Sequence, residues 1–416
     1  MTDLPQGWEE NSIRELFDFK YGKGLTQEKR RLGGGFAVYG SNGIVGEHDQ
    51  AITQGPTIIV GRKGSVGEVH LSPTKCWPID TTYFIDEFPD GSPPKFWAFY
   101  LKSLRLGQQE RSSAIPGISR EDIYKLKVPV PPLAEQRRIV AKLEELLGKV
   151  EACQKRLAKI PVIFKRFRQS VLAAACSGDL TSDWRRNSRN ADDTPDTWQS
   201  IEFGRLIAEG PQNGIYKPQA LYGRGTLIVR IDNFYDGAIA PWTTLKRVEL
   251  SSKEVDQFNL ANEDILINRV NSIKFLGKSA IVKNLKEPCV FESNMMRCRL
   301  NHEIVLPDYA ILYLRSATGR QELRANAKHA VNQSSINQDD VKSSLFSLPP
   351  LDEQGEIINC VEALFQVADE IEARYRKARP QVDKLTQSIL AKAFRGELVP
   401  TEAELARRVA TEGSSV

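Results

Sequence analysis

PPLAEQRRIVAKLEELLGKVEACQKRLAKI, beginning at Pro131, and PPLDEQGEIINCVEALFQVADEIEARYRKA, beginning at Pro349, decide how this chain is organised. Both run on without a gap, so that FRQSVLAAACSGDL (167–180) lies over LTQSILAKAFRGEL (385–398). About a third of some fifty aligned positions are identical at a constant offset, the mark of an internal duplication. The match reaches upstream, with residues 118–123 over 336–341. Weaker echoes set 96–103 over 309–316 and 4–8 over 194–198. Two copies of roughly 200 residues each are a duplication and not a solenoid, whose repeats run about 20–50 residues.

The shared segments carry a coiled-coil seam. In the first copy apolar residues fall at Ile139, Leu143, Leu146, Val150, Cys153, Leu157 and Ile160, then Phe164, Phe167, Val171 and Ala174. The second repeats the pattern at Ile357, Val361, Leu364, Ala368, Ile371, Tyr375, Ala378, Val382, Leu385 and Ile389. Steps of four and three alternate throughout, which predicts two helices of roughly 50 Å at about 1.5 Å per residue. Pro131-Pro132 and Pro349-Pro350 disfavour helix before them, and Glu135 or Asp352-Glu353 suits a positive helix N-terminus. Pro161 and Pro380 predict a kink or break, and Gly178 and Gly396 predict the stops. Separate bundles inside each half are the competing arrangement. An a/d seam needs an external apolar partner, however, and a copy of equal length is available, so antiparallel pairing of the two helices is expected. The central helix is rich in Lys and Arg and the distal one mildly acidic, which reads as a solvated face or as a stripe along phosphates.

The 416 residues allow two to four domains, and 41% hydrophobic with 26% charged residues is the balance of a globular protein. No apolar run approaches the roughly 18 residues of a membrane span, and the N-terminal residues lack a signal-peptide core. Six cysteines without a Cys-x-x-Cys pair suggest reduced thiols in a cytoplasmic protein, and four histidines in no ligand-like spacing argue against a metal centre. The net charge of +4 does not announce a nucleic-acid partner by itself.

Between the helices the segments vary. The first carries Val38-Tyr39-Gly40-Ser41-Asn42-Gly43 and Thr57-Ile58-Ile59-Val60-Gly61-Arg62-Lys63-Gly64-Ser65-Val66-Gly67, the latter an apolar strand entering a basic glycine loop. Such a loop is either a surface hairpin or a carrier of amides and cations to phosphates and base edges. The second carries apolar strands ending in Arg230-Ile231-Asp232-Asn233 and Asn268-Arg269-Val270-Asn271, then Asn332-Gln333-Ser334-Ser335. Arg and Asn suit bidentate contacts with guanine and adenine, although turns use the same residues. Leu276-Gly277-Lys278-Ser279 resembles the end of a phosphate-binding loop but has Ser272 where the first glycine belongs. No catalytic motif is complete.

Two variable segments, each followed by Pro-Pro-Leu-x-Glu-Gln and a heptad helix ending near Gln-Ser-x-Leu-x-x-Ala, resemble the specificity subunit of type I restriction-modification systems. The resemblance implies an α+β chain in which two globular target recognition domains are separated by two long helices paired as an antiparallel coiled coil, with a pseudo-twofold internal repeat. It sets a first recognition domain at 1–132, a central conserved helical region at 133–181, a second recognition domain at 182–350, a distal helical region at 351–399 and a tail at 400–416. It further implies a non-catalytic subunit that reads a bipartite asymmetric site on double-stranded DNA. Such a subunit docks two modification (methyltransferase) subunits and, through them, restriction (translocase/nuclease) subunits. S-adenosylmethionine, ATP and Mg2+ belong to those partners, and no cofactor is expected here. By resemblance the DNA-binding candidates are Tyr39, Ser41, Asn42, Arg62, Lys63, Ser65, Arg230, Asp232, Asn233, Arg269 and Asn271, with Lys278 on phosphate. The coiled-coil and subunit-docking candidates are Ile139, Leu143, Leu146, Val150, Leu157, Ile357, Val361, Leu364, Ile371 and Leu385. The alternative is a two-lobed protein-binding scaffold with a coiled-coil spacer.

Overall fold

The computed structural model describes residues 4–31, 33–108, 118–188, 198–235, 237–330 and 333–413. Asn332 and residues 194–197, part of the weak repeat echo, lie outside them. Two helices dominate: the central one, Leu133–Ser177, and the distal one, Leu351–Ala393. They contain 45 and 43 residues, about 65 Å each by the α-helical rise, longer than the sequence predicted. Pro161 and Pro380 lie inside them and neither ends its helix, so the expected break is absent. Gly178 (φ +82°) follows the first helix and Gly396 (φ +73°) the second, each in the left-handed region that glycine tolerates.

The chain divides into two compact units that do not follow linear order. One comprises 1–158 and 376–416, the other 159–375. Each long helix is shared between units, and the cuts fall close to Pro161 and Pro380. Within the first unit, Ile139, Val140 and Leu143 of the central helix share a core with Leu390 and Ala393 of the distal one, while Gln154 Nε2 donates to Asp383 Oδ1 (3.3 Å). Within the second unit, Val171, Leu172 and Ala175 pack with Ile357 and Val361, and Arg168 pairs with Asp369 and Glu372. As numbers rise on one helix they fall on the other, so each unit holds an antiparallel pair. The seam is buried at Ile139, Leu143, Val150, Ile357 and Val361 and partly buried at Leu146, Leu157 and Leu364, whereas Ile371 and Leu385 remain 48% and 43% exposed.

The heads repeat one plan that the sequence showed faintly. In the first, a sheet runs in the order Lys20–Tyr21, Thr82–Ile85, Thr57–Gly61, Val69–Ser72. In the second, Ile207–Asn213, Met295–Leu300, Ile265–Asn268 and Ser279–Ile281 take the same order, extended by Gly237–Ile239 and Phe234–Tyr235. A smaller sheet joins an antiparallel pair to a parallel strand in both: Phe36–Gly40 beside Trp77–Pro78, and Tyr222–Val229 beside Cys289–Phe291. The inner strands Ile58, Ile59, Val60 and Ile265, Leu266, Ile267 are wholly buried, as continuous apolar runs require.

The Glu-Gln of each Pro-Pro-Leu-x-Glu-Gln motif fastens a head to its helix. Glu135, Gln136, Glu353 and Gln354 are all buried. Gln136 Nε2 donates to Pro131 O (2.9 Å) and Gln354 Nε2 to Pro349 O (2.8 Å), satisfying carbonyls just before the helix start. Trp8 Nε1 donates to Glu135 (2.9 Å), and Trp198 Nε1 to Glu353 (3.0 Å). The carboxylates thus do more than complement a helix dipole, since each is the anchor for an indole from the start of its head.

Candidate nucleic-acid interface

In the first head, strand Thr57–Gly61 runs into a loop closed by Gly61 N–H to Glu68 O and Gly67 N–H to Gly61 O, both 2.8 Å. Arg62 and Lys63 both donate their backbone N–H to Thr81 O (2.9 and 3.1 Å). The Arg62 guanidinium donates to Asp80 O (3.0 Å) and lies 5.3 Å from the Tyr21 ring and 5.8 Å from that of Tyr83. A side chain at Gly61 would meet Ser65 O at 2.1 Å, so glycine is required for the loop to close on itself, and Ser41 Cβ lies 3.1 Å from the same position, which sets the turn Ser41-Asn42 beside the loop. His70 Nε2 lies 3.4 Å from Ser41 O on the same side. Ser41 and Asn42 are thereby brought to Arg62, Lys63 and Ser65, with Asn42 and Lys63 exposed. Tyr39, a candidate for DNA contact, is buried against Ile59 and Cys76, while its neighbour Val38 packs on the opposite face of the strand with Leu25 and Trp77.

The second head repeats this backbone arrangement. Asn268 N–H donates to Lys278 O (2.8 Å) and Gly277 N–H to Asn268 O (2.9 Å), closing a longer loop. Arg269 N–H donates to Asn294 O (2.9 Å) and its guanidinium to Ser293 O (3.2 Å). Downstream, Ile336 N–H donates to Arg269 O as Ile118 N–H does to Arg62 O. Arg62 and Arg269 are therefore structural counterparts, and in both the Nε is buried without a hydrogen-bond partner. Each guanidinium braces its loop instead of standing free in solvent.

Arg230 to Asn233 form a turn in which the Arg230 N–H donates to Asn233 Oδ1 (2.9 Å), leaving Asp232 exposed. Arg230 Nε donates to Glu292 (3.2 Å), which also accepts the Ile231 N–H. Lys278 joins this turn to the other loop. Its Nζ donates to Ile231 O (3.4 Å) and sits 4.6 and 3.8 Å from the rings of Phe234 and Tyr235, with the residue 8% exposed. The expectation for Lys278 was a phosphate contact; here its ammonium lies against two rings and cross-links the turn to the loop. The strand Ser279–Ile281 follows it, not the helix of a phosphate-binding loop. Asn271 is half-buried and lies in strand Val270–Asn271, paired with Gln333–Ser335, and its Oδ1 accepts from Ser272.

Sequence reasoning missed Glu292, the partner of Arg230, and the exposed Tyr21, which has Arg62 and Arg120 5.3 and 5.2 Å from its ring. Alternation of Arg with Tyr would have been the signal, but these residues are dispersed from 21 to 124 and meet through folding. Among the described residues no helix is long and apolar enough to cross a membrane.

Residues 5–162 and 221–378 match the family described as the type I restriction modification DNA specificity domain. The chain is 37% identical over 310 residues to the type I restriction enzyme StySPI specificity subunit of Salmonella potsdam, covering 73% of this chain and 65% of that protein. It is 36% identical over 309 residues to the EcoKI specificity subunit of Escherichia coli K12, with the same coverage. The chain thus spans about 65% of the length of these relatives. The fold is similar to that of the HsdS subunit from Thermoanaerobacter tengcongensis, with a TM-score of 0.57 at 21% identity over 95% of this chain and 98% of that one. It is also similar to a chain from a study of complex assembly and conformational transition of the type I R-M system, with a TM-score of 0.69 at 19% identity over 95% of this chain and 100% of that one. The duplicated heads, the helices that follow them and the two matched regions together make the chain a member of the type I restriction modification DNA specificity family.

Proposed function

We propose that this chain is the DNA-reading subunit of a type I restriction-modification enzyme, each head recognising one half of a bipartite, asymmetric duplex sequence. One observation carries the reading: in each head two sequence-distant polar loops meet, Ser41-Asn42 beside the Gly61–Gly67 loop and the Arg230–Asn233 turn beside the Asn268–Lys278 loop, while the counterpart arginines Arg62 and Arg269 brace the second loop of each pair. Asn42 and Lys63 are exposed on the first pair and Asp232 on the second. Amide, hydroxyl and cationic groups on braced loops suit base-edge readout, with phosphate contacts fixing register. The recognition domains correspond to 1–132 and 182–350, and the helical regions to 133–181 and 351–399. The helices space the half-sites, and their uncovered apolar positions, Ile371 and Leu385 among them, meet the modification subunits.

Catalysis belongs to the partners in this reading. Two methyltransferase subunits supply S-adenosylmethionine, and restriction subunits supply ATP- and Mg2+-dependent translocation and cleavage. The chain itself contributes recognition and works in the cytoplasm. Selection from random-sequence duplex by the chain assembled with its modification subunit tests this. A single bipartite motif with strongly salt-dependent affinity is expected. Indifference to sequence at physiological salt would favour the protein-binding scaffold.

A further inference from the structure

The counterpart loops differ in one respect that the shared plan does not require. In the first head the loop between Gly61 and Glu68 carries Lys63-Gly64-Ser65-Val66, and among the described residues no exposed large apolar side chain falls in it. In the second, the stretch between Asn268 and Lys278 is longer and presents Ile273 at 47% and Phe275 at 41% exposure, with Lys274 between them.

These side chains are not on a slack loop. Phe275 and Leu276 donate their N–H groups to Ser272 O (2.9 and 3.1 Å), and Asn268 Nδ2 donates to Phe275 O (3.4 Å). Arg324 reaches across from helix Ala317–Arg324, with its Nε on Leu276 O (2.8 Å) and Nη2 on Lys274 O (3.2 Å). Leu276 itself is fully buried. Gly67 of the first head packs on Gly107, whereas its counterpart Gly277 packs on Leu323 and Arg324. The second head thus uses an arginine, where the first has a glycine, to hold the longer loop up. Burying Ile273 and Phe275 would be favoured by about 25 cal/mol per Å², yet both stay exposed on a loop whose backbone Arg324 holds at Lys274 O and Leu276 O.

Resting on the DNA-reading proposal above, we infer that Ile273 and Phe275 are specificity-determining residues that pack on thymine methyl groups in the half-site read by the second head. The thymine C5-methyl is the apolar feature of the major groove. Lys274, exposed between Ile273 and Phe275, is the cation this tip presents, and residues 269–278 contain no acidic side chain, which suits a polyanion better than a protein partner. Arg324 is then a positioning residue.

The test uses the full chain assembled with its modification subunit and the duplex obtained by selection, with deoxyuridine replacing thymine in one half at a time. The wild-type complex should lose about four-fold in affinity per contacted methyl, in one half only. The Ile273→Ala/Phe275→Ala variant should bind more weakly and no longer distinguish thymine from uracil there. A variant that keeps the uracil penalty would overturn the inference, as would a wild type that selects its motif but ignores uracil in both halves. So would failure of the variant to assemble with the modification subunit, which would mark a protein contact instead. A wild type that selects no motif removes the DNA-reading proposal itself, a distinct result.

Discussion

The two heads are built on one backbone and differ where side chains are presented. GRKGSVGE (61–68) and NRVNSIKFLGK (268–278) share little beyond an arginine in second place, yet both loops are closed by the same pattern of strand-end hydrogen bonds. A shared hydrogen-bonded frame with different tips lets one architecture present different side chains without redesigning its core. The fastenings differ too. Glu353 is buried with Arg185, whose guanidinium also donates to Gly178 O, and it accepts from Thr181 Oγ1 (2.8 Å). Glu135 has no such arginine. It accepts the Glu402 N–H (3.2 Å) instead, and Arg138 turns to Glu402 (2.6 Å).

Breaking these fastenings should give the largest effects. Arg185→Ala strands a buried carboxylate and is expected to cost about 3–5 kcal/mol, whereas Arg138→Ala breaks a half-exposed pair worth about 1 kcal/mol or less. Urea unfolding of the two variants reads the difference, and equal losses would erase the asymmetry argued here. Removing the indole donor by Trp8→Phe or Trp198→Phe should cost about 1.5–3 kcal/mol in either unit, because the acceptor is a buried charged group. Unchanged midpoints in both would show that these bonds do not anchor the heads.

A third prediction concerns pH. Burial raises the Glu135 pKa above its ordinary 4.5, with the hydrogen bonds from Glu402 and Trp8 opposing the shift. A carboxyl whose folded-state value is raised contributes stability below the ordinary value and loses it as pH climbs through the raised one. Glu135→Gln should therefore flatten the stability–pH curve just above 4.5. A curve with unchanged slope would mean the carboxylate is better solvated than its burial indicates.

The long helices, their glycine stops and the duplication were legible because they rest on periodicity and on residues with special backbone demands. Pro161 and Pro380 were expected to kink or break their helices, and no break occurs, since both helices continue through them. Ser41, Asn42 and the 61–67 loop were visible as separate clusters, but their meeting is a tertiary contact, Ser41 lying beside Gly61 and Gly64, which no local pattern announces. Tyr39 and Lys278 were DNA-contact candidates by resemblance, and the burial of both, which depends on strands distant in sequence, was not legible beforehand. The 61–67 and 268–278 loops were matched by resemblance, with an arginine in second place in both; the backbone hydrogen bonds that make Arg62 and Arg269 counterparts were not legible, because they leave little trace in side-chain identity.

Smaller effects sharpen the comparison between loops. Lys63→Ala, at an exposed cation, should weaken binding to all duplexes alike and reduce the salt slope by about one. A change of preferred sequence would make Lys63 a base reader instead.

The central claim is that each head reads its own half-site through a loop braced by its arginine. Random-sequence selection with the assembled complex, comparing wild type with Arg269→Ala, tests it most directly. The account predicts a bipartite motif for wild type and, for the variant, one relaxed half at a cost of about 1–3 kcal/mol with the other half intact. Equal relaxation of both halves, or no change in either, would contradict it.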